Sequence, residues 1–198
     1  MEDGIRSIPL PQAHTPANSE LENPDQPCQS VAFPSPAKIL FLSGYGTKPG
    51  EINPNILRTH GYTVVEPDLP DSDFARSVTI AQRVFNRHQP EVVVGWSRGG
   101  AVAMSIDSGH ASLILIAPAW KNWGTMTTVK AEVTILHSPY DELVSIEDSR
   151  ELLENSGLPP DQLRVVGEDH RMIDEEAFAT LLEAVEYSGK HFPKRQAA

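Results

Sequence analysis

From residue 38 onward the chain alternates short apolar runs with longer stretches whose apolar residues recur at helical spacing. The runs are 39–42 (ILFL), 62–66 (YTVVE), 91–94 (EVVV), 113–117 (LILIA), 133–136 (VTIL) and 163–166 (LRVV). The continuous run 39–42 reads as a strand buried on both faces, and the others are further candidate strands. Gly61 and Pro67, Gly95 and Pro118 punctuate them. Between them, 53–60 and 100–108 read as short helices. Segment 73–87 carries Phe74, Val78, Ile80, Ala81 and Val84 on one helical face, with Asp71 or Ser72 as candidate N-cap. A further helix begins at 145 and runs to about residue 155, stopped by Gly157. The last, 175–187, presents Phe178, Leu181, Leu182, Ala184 and Val185. Strands alternating with helices predict an α/β fold: a mainly parallel sheet of about six strands with helices on both faces. No internal repeat is present.

Residues 1–36 follow another pattern. They hold Pro9, Pro11, Pro16, Pro24, Pro27, Pro34 and Pro36, five acids, one base (Arg6) and one aromatic (Phe33). Such a segment cannot bury enough apolar surface to offset the entropy of ordering it. It is expected to be a disordered tail, followed by one domain over 37–190 and a short C-terminal tail, 191–198. The whole chain has 198 residues and a formal net charge of −11. An acidic surface repels phosphate backbones, which argues against nucleic acid as a partner. No stretch approaches the roughly 20 apolar residues of a membrane span. The start, MEDGIRSIPL, lacks the basic and apolar regions of a secretory signal. The single cysteine, Cys28, excludes an internal disulfide and a cysteine-based zinc site. A cytoplasmic domain is the expectation.

The third run leads into Gly95-Trp96-Ser97-Arg98-Gly99-Gly100-Ala101, a G-x-S-x-G between a buried strand and a helix. A serine on so tight a turn sits in strained backbone and needs very small residues two positions to either side. Gly95 and Gly99 stand there. The turn would aim the Ser97 hydroxyl out of the C-terminal edge of the strands, where ligands bind in open α/β sheets. A glycine-rich turn with an incidental serine shares these letters, so this segment alone leaves both readings open. A nucleophilic serine also needs a base, oriented by an acid. The fifth run ends in HSPYDELVS and the sixth is followed by GEDHR, which puts Asp141 and His170 in loops leaving the same edge as Ser97.

These three segments, GWSRGG, HSPYDELVS and GEDHR, resemble in order and setting the α/β-hydrolase family, in a compact form without a cap domain. The likeness covers about Lys38 to Tyr187. It implies nucleophile Ser97, acid Asp141 (rather than its neighbour Glu142) and base His170, and the small lidless esterases and thioesterases look most similar. An oxyanion hole would use the backbone N–H of Arg98 and, by likeness of Ser43-Gly44-Tyr45-Gly46 to the family's H-G-x-G, that of Tyr45. Ser43 replaces the usual histidine, which should change how that loop is anchored. Arg98 and the pair Val144-Ser145 depart from the commoner hydrophobic residue and Val-Pro.

Of the other histidines, His14 and His191 are terminal, His60, His88 and His110 fall at the wrong edge, and His137 is the rival base. No H-E-x-x-H or paired-histidine spacing is present, so neither metal nor cofactor is expected. Only 120–132 separates the fourth and fifth runs beyond Pro118, too little for a cap, so the site should be open. Trp96, Trp120 and Trp123 are candidates for a substrate pocket or for core packing. Lys48, Arg98, Lys121 and Arg171 fall in loops at that edge and are either solvated or poised for an anionic substrate. The expected activity is hydrolysis of a small-molecule carboxylic ester or thioester through an acyl-enzyme on Ser97. The alternative is a catalytically silent binding module of the same fold; peptidase activity is neither supported nor excluded.

Overall fold

A computed structural model describes residues 37–50 and 52–191. The expected tail 1–36, with Cys28 and His14, and all but the first residue of the expected tail 191–198 lie outside the described residues. Six strands form one sheet: β1 (Lys38–Leu42), β2 (Thr63–Val65), β3 (Val92–Trp96), β4 (Ser112–Ile116), β5 (Val133–His137) and β6 (Leu163–Val165). Their order is β2-β1-β3-β4-β5-β6, and every neighbouring pair is parallel. The helices are α1 (Ile52–Thr59), α2 (Phe74–His88), α3 (Arg98–Ser105), α4 (Ile146–Asn155) and α5 (Glu175–His191), with a 3-10 turn at Pro160–Gln162.

The runs of β1, β3 and β4 are continuous because both faces of the inner sheet are covered, whereas the edge strands β2 and β6 are partly exposed. Successive side chains alternate across a strand. Leu40, Leu42, Val93, Leu113, Leu115 and Ile135 therefore pack with α2, α3 and α4 residues such as Phe85, Val102 and Leu152. Ile39, Phe41, Val92, Val94, Ile114 and Leu136 pack on the opposite face with Leu57 of α1 and Leu181 and Val185 of α5.

Several expected boundaries shift. Helix α3 begins at Arg98, two residues before the expected start, and ends at Ser105. Glycine is a poor helix former, but here Gly99 and Gly100 are taken into the first turn because no larger residue fits. The N-cap of α2 is Asp73, whose side chain accepts from Arg76 N–H, rather than Asp71 or Ser72. Asp71 instead accepts from Gly46 N–H at 3.0 Å. Helix α5 runs to His191, past the expected end at 187.

The chain leaves β1 for β2 on one side and returns to β3 on the other. This reversal opens a crevice between the C-terminal ends of β1 and β3, the usual ligand position in such sheets. The loop 43–50 and Ser97 flank that crevice. Residues 117–132, between β4 and β5, contain no helix or strand, so no cap domain is inserted there. Among the described residues, no helix is long and apolar enough to cross a membrane.

Candidate active site

Ser97 follows directly on β3 and has φ 53° and ψ −118°. A non-glycine residue held there stores about 1–3 kcal/mol of strain, which persists only if the surroundings over-determine it. They do: Ser97 N–H donates to Ile116 O at 2.8 Å, and Ser97 O accepts from Gly100 N–H at 2.9 Å and Ala119 N–H at 3.0 Å. The glycines are steric necessities. A Cβ on Gly95 would lie 2.6 Å from Gly99 O and 2.8 Å from Gly100 Cα. One on Gly99 would overlap the Leu42 carbonyl and lie 2.7 Å from Ser43 O. The elbow is thus pressed against the end of β1.

His170 comes from the β6–α5 loop. Its Nε2 is 2.9 Å from Ser97 Oγ and its Nδ1 is 2.7 Å from Asp141 Oδ2. A carboxylate only accepts, so Nδ1 carries the proton and Nε2 is left to accept from the Ser97 hydroxyl. The loop is fixed from three directions: Trp96 Nε1–H donates to His170 O at 3.0 Å, Ser138 Oγ–H donates to Gly167 O at 2.8 Å, and Asp169 Oδ1 accepts from the N–H groups of Arg171 and Met172. The Trp96 ring also lies 5.8 Å from the imidazole, centroid to centroid.

Asp141, in the loop after β5, has no exposed side-chain surface. Its Oδ1 accepts from the N–H groups of Leu143 and Val144, both at 2.8 Å. Burial alone would raise its pKa. Hydrogen bonds from His137, from His170 and from the Val144 and Leu143 amides outweigh that penalty and hold the carboxyl well below the usual carboxylate range. Asp141 is therefore ionised at neutral pH and can stabilise a positive imidazole.

His137 is fully buried at the end of β5. Its Nε2 faces two acceptors, Asp141 Oδ2 at 3.2 Å and Val144 O at 3.0 Å, so that nitrogen bears a proton. Its Nδ1 pairs with Ser149 Oγ of α4 at 2.7 Å. The rival base thus sits behind the acid, bonded to it but not to Ser97. The fully buried His137 was not legible as an acid partner from the sequence, since only the fold of the loop brings the ring onto the carboxylate. His60, His88 and His110 all precede strands and sit at the opposite edge.

Arg98 opens α3, so its backbone N–H lies in the first turn, where helical N–H groups lack an intrahelical acceptor. Gly44 lies against Ser97: a Cβ there would be 3.4 Å from Ser97 Cβ and 3.1 Å from the Trp96 ring. Tyr45 follows, its side chain exposed and its ring stacked on Trp123 at 5.9 Å. Gly44, next to Tyr45, and the start of α3 thus border Ser97.

The basic residues differ in placement: Lys48 and Arg171 are exposed loop residues and Lys121 is partly exposed, whereas Arg98 is not. Arg98 is completely buried. One guanidinium nitrogen donates to Pro70 O at 2.8 Å and Ser77 Oγ at 3.0 Å, and the group lies over Trp123 (5.0 Å) and Phe74 (5.7 Å). Its Nε and other terminal nitrogen have no hydrogen-bond acceptor. Burial lowers its pKa, an effect opposed by Asp71, Tyr45 and Asp73. Lys48 pairs with Asp68 at 3.5 Å, and Lys121 bridges Asp148 (2.9 Å) and Glu151 (2.6 Å). The three tryptophans separate. Trp96 borders His170, and Trp123 is half-buried between Tyr45 and Phe74. Trp120 is 6% exposed, packs in the core, and donates its indole N–H to Asp148 O at 3.0 Å, so its ring belongs to the core rather than to an opening beside Ser97. Among the described residues, no group of three or more His, Cys, Asp or Glu is arranged to hold a metal ion.

No protein-family model matches the chain, and a search of curated proteins finds no relative by sequence. The fold does have solved counterparts. The α/β-hydrolase domain-containing protein 10 from mouse superposes with a TM-score of 0.60 at 14% identity, over 77% of this chain and 89% of its own. Est1E from Butyrivibrio proteoclasticus gives 0.59 at 15%, over 79% and 89%. A serine hydrolase without a lid from Xanthomonas campestris gives 0.56 at 16%, over 85% and 88%. With its all-parallel six-stranded sheet and uninterrupted β4–β5 connection, the chain has the α/β-hydrolase fold in a form without a cap domain.

Proposed function

We propose that the chain is a serine hydrolase that cleaves carboxylic esters or thioesters through an acyl-enzyme on Ser97. One observation carries the reading: Ser97 Oγ, both nitrogens of His170 and the buried Asp141 carboxylate form an unbroken hydrogen-bonded line that begins on a strained elbow. The setting at the C-terminal edge and the lidless serine hydrolase among the structural neighbours support it. In this mechanism Ser97 Oγ attacks the acyl carbonyl while His170 Nε2 takes its proton. The Arg98 and Tyr45 N–H groups receive the negative charge on the carbonyl oxygen. Breakdown expels the alcohol or thiol, which leaves with the proton from Nε2. Water then attacks the acyl-enzyme by the same route, releasing a carboxylic acid and restoring Ser97. Asp141 fixes the imidazole tautomer and stabilises the imidazolium. With no cap over the crevice, the acyl group meets Trp96 and the Tyr45–Trp123 stack from an open side.

The test is a fluorophosphonate probe on the folded protein, with a panel of p-nitrophenyl esters and acyl thioesters. Labelling and turnover should both disappear in Ser97→Ala. A folded protein that neither labels nor turns over any of these substrates would refute the enzyme reading and favour a binding module.

A further inference from the structure

Glu66 lies immediately after β2, outside the hydrogen-bonded line, yet its side chain is only 1% exposed. Its two oxygens take three donors. Oε1 accepts from Ser43 Oγ–H at 2.8 Å, and Oε2 accepts from Gly50 N–H at 2.8 Å and from Arg58 of α1 at 3.0 Å. Ser43 and Gly50 are the two ends of the loop that runs past Ser97. One carboxylate therefore closes that loop at its base. The apex is held separately, by Gly46 N–H on Asp71 Oδ1 at 3.0 Å and by Thr47 Oγ1–H on Gly44 O at 2.8 Å. Register explains why Glu66 can do this: β2 pairs in parallel with β1, Val65 opposite Leu40, so the two chains leave the sheet side by side.

We propose that Glu66 is a positioning residue that holds loop 43–50 in register with Ser97 and thereby sets turnover. The inference rests on the serine-hydrolase reading and on Tyr45 N–H as an oxyanion donor. A two-oxygen acceptor suits the task, because Ser43 Oγ–H and Gly50 N–H both donate to it and a buried carboxylate is stable when its lone pairs are filled and a cation is adjacent. Arg58 supplies the cation, itself braced by Asn55 Oδ1 at 2.9 Å. The donors of an oxyanion hole act through fixed position, and one lost donor costs a factor of about 10² to 10³ in turnover. A loop slackened at its base should cost less than that.

The experiment compares Glu66→Leu, Glu66→Gln and Ser43→Ala with the parent protein, first for retained circular dichroism and then for p-nitrophenyl acetate hydrolysis. Hydrogen exchange of the peptide spanning 43–50 is measured alongside. Glu66→Leu should lower kcat by about tenfold to hundredfold with KM within threefold, and Ser43→Ala by a smaller factor. Both should speed exchange in 43–50. Glu66→Gln should recover most of kcat, because its amide oxygen can serve Gly50 while its NH2 donates to Ser43 Oγ. A packing role would instead make Leu and Gln equivalent. An unchanged kcat in the folded variants, or a raised KM at constant kcat, overturns the proposal; if Glu66→Leu does not fold, Ser43→Ala decides by the same criteria. If Ser97→Ala keeps full activity, the serine reading fails, and exchange in 43–50 alone then decides whether Glu66 anchors the loop: faster exchange upholds the anchor and unchanged exchange sinks it.

Discussion

Substituting Gly99 by alanine adds a single methyl group, at the point where the start of α3 presses on the end of β1. The new Cβ would overlap the Leu42 carbonyl oxygen, lie 2.5 Å from the carbonyl carbon and lie 2.7 Å from Ser43 O. Carbon atoms in contact normally sit about 3.5–4.0 Å apart, so α3 and β1 must separate by about 1 Å. All three opposing atoms belong to backbone, so no side chain can rotate away. Overpacking of this kind costs about 1–3 kcal/mol, and the rigid partners put this case at the upper end. For a domain of this size each 1 kcal/mol is worth about 2–4 °C in Tm, so a fall of about 6–12 °C is expected. Catalysis should suffer more. The displaced atoms are the root of loop 43–50 and the first turn after Ser97, and a 1 Å misplacement at a reacting centre costs about a hundredfold in rate. The assay is differential scanning calorimetry paired with p-nitrophenyl acetate turnover. Gly61→Ala is the control: Gly61 has φ +85° and nothing within 4 Å of the added Cβ, so that variant should lose about 1 kcal/mol of stability from backbone strain while turnover stays within twofold. A Gly99→Ala protein with Tm within 2 °C and activity within threefold of the parent would refute the steric argument.

His170→Ala should lower kcat by a factor of about 10⁴ to 10⁶, whereas His137→Gln should retain at least about a tenth of it; the reverse order would make His137 the base. Asp141→Asn should lower kcat by about four orders of magnitude, because an amide favours the wrong imidazole tautomer. Its stability effect carries a pH signature. Burial works to raise the Asp141 pKa, but the hydrogen bonds depress it overall, so its ionised form stabilises the fold above the unfolded value of 3.8 and that contribution fades as pH falls toward the folded value. The Tm gap between parent and Asp141→Asn should be full above about pH 5 and narrow below about pH 4; a gap that widens on acidification contradicts the sign. Arg98→Met should shift stability by less than about 1.5 kcal/mol despite complete burial, since it removes a half-satisfied cation. Ser77 Oγ–H still serves Pro70 O at 3.0 Å, and Met occupies the space beside Phe74 and Trp123. A loss above about 3 kcal/mol on chemical denaturation would show the guanidinium to be a net stabiliser.

The inner strands β1, β3 and β4 were legible because burial on both faces leaves an unbroken apolar run, a signal that survives without knowledge of the partners. Ser97, Asp141 and His170 were legible as neighbours because parallel strands deliver their following loops to one edge. What escaped depends on side chains meeting across the fold. Arginine is seldom fully buried, so Arg98 read as a loop charge; its burial needs Phe74 and Trp123 from two other segments. Glu66 looked like the polar end of a strand, since nothing near it in sequence marks Ser43 and Gly50 as donors. The N-cap of α2 could not be resolved among neighbouring polar residues until Asp71 was seen to serve Gly46 instead. Trp120 and Trp123 are three residues apart in one loop, and only the packing of α4 sends the first inward.

The order in which the strands are contributed has a bearing on failure under stress. Ser97 is seated on a central strand with neighbours on both sides, whereas His170 hangs from β6, three residues long, paired along one edge only, with Val165 51% exposed. Regions with few buried contacts open at a small fraction of the global unfolding energy. Gentle warming or dilute urea should therefore silence hydrolysis while the spectroscopic signature of the remaining sheet is still intact, and cooling should bring the histidine home without a full refolding cycle.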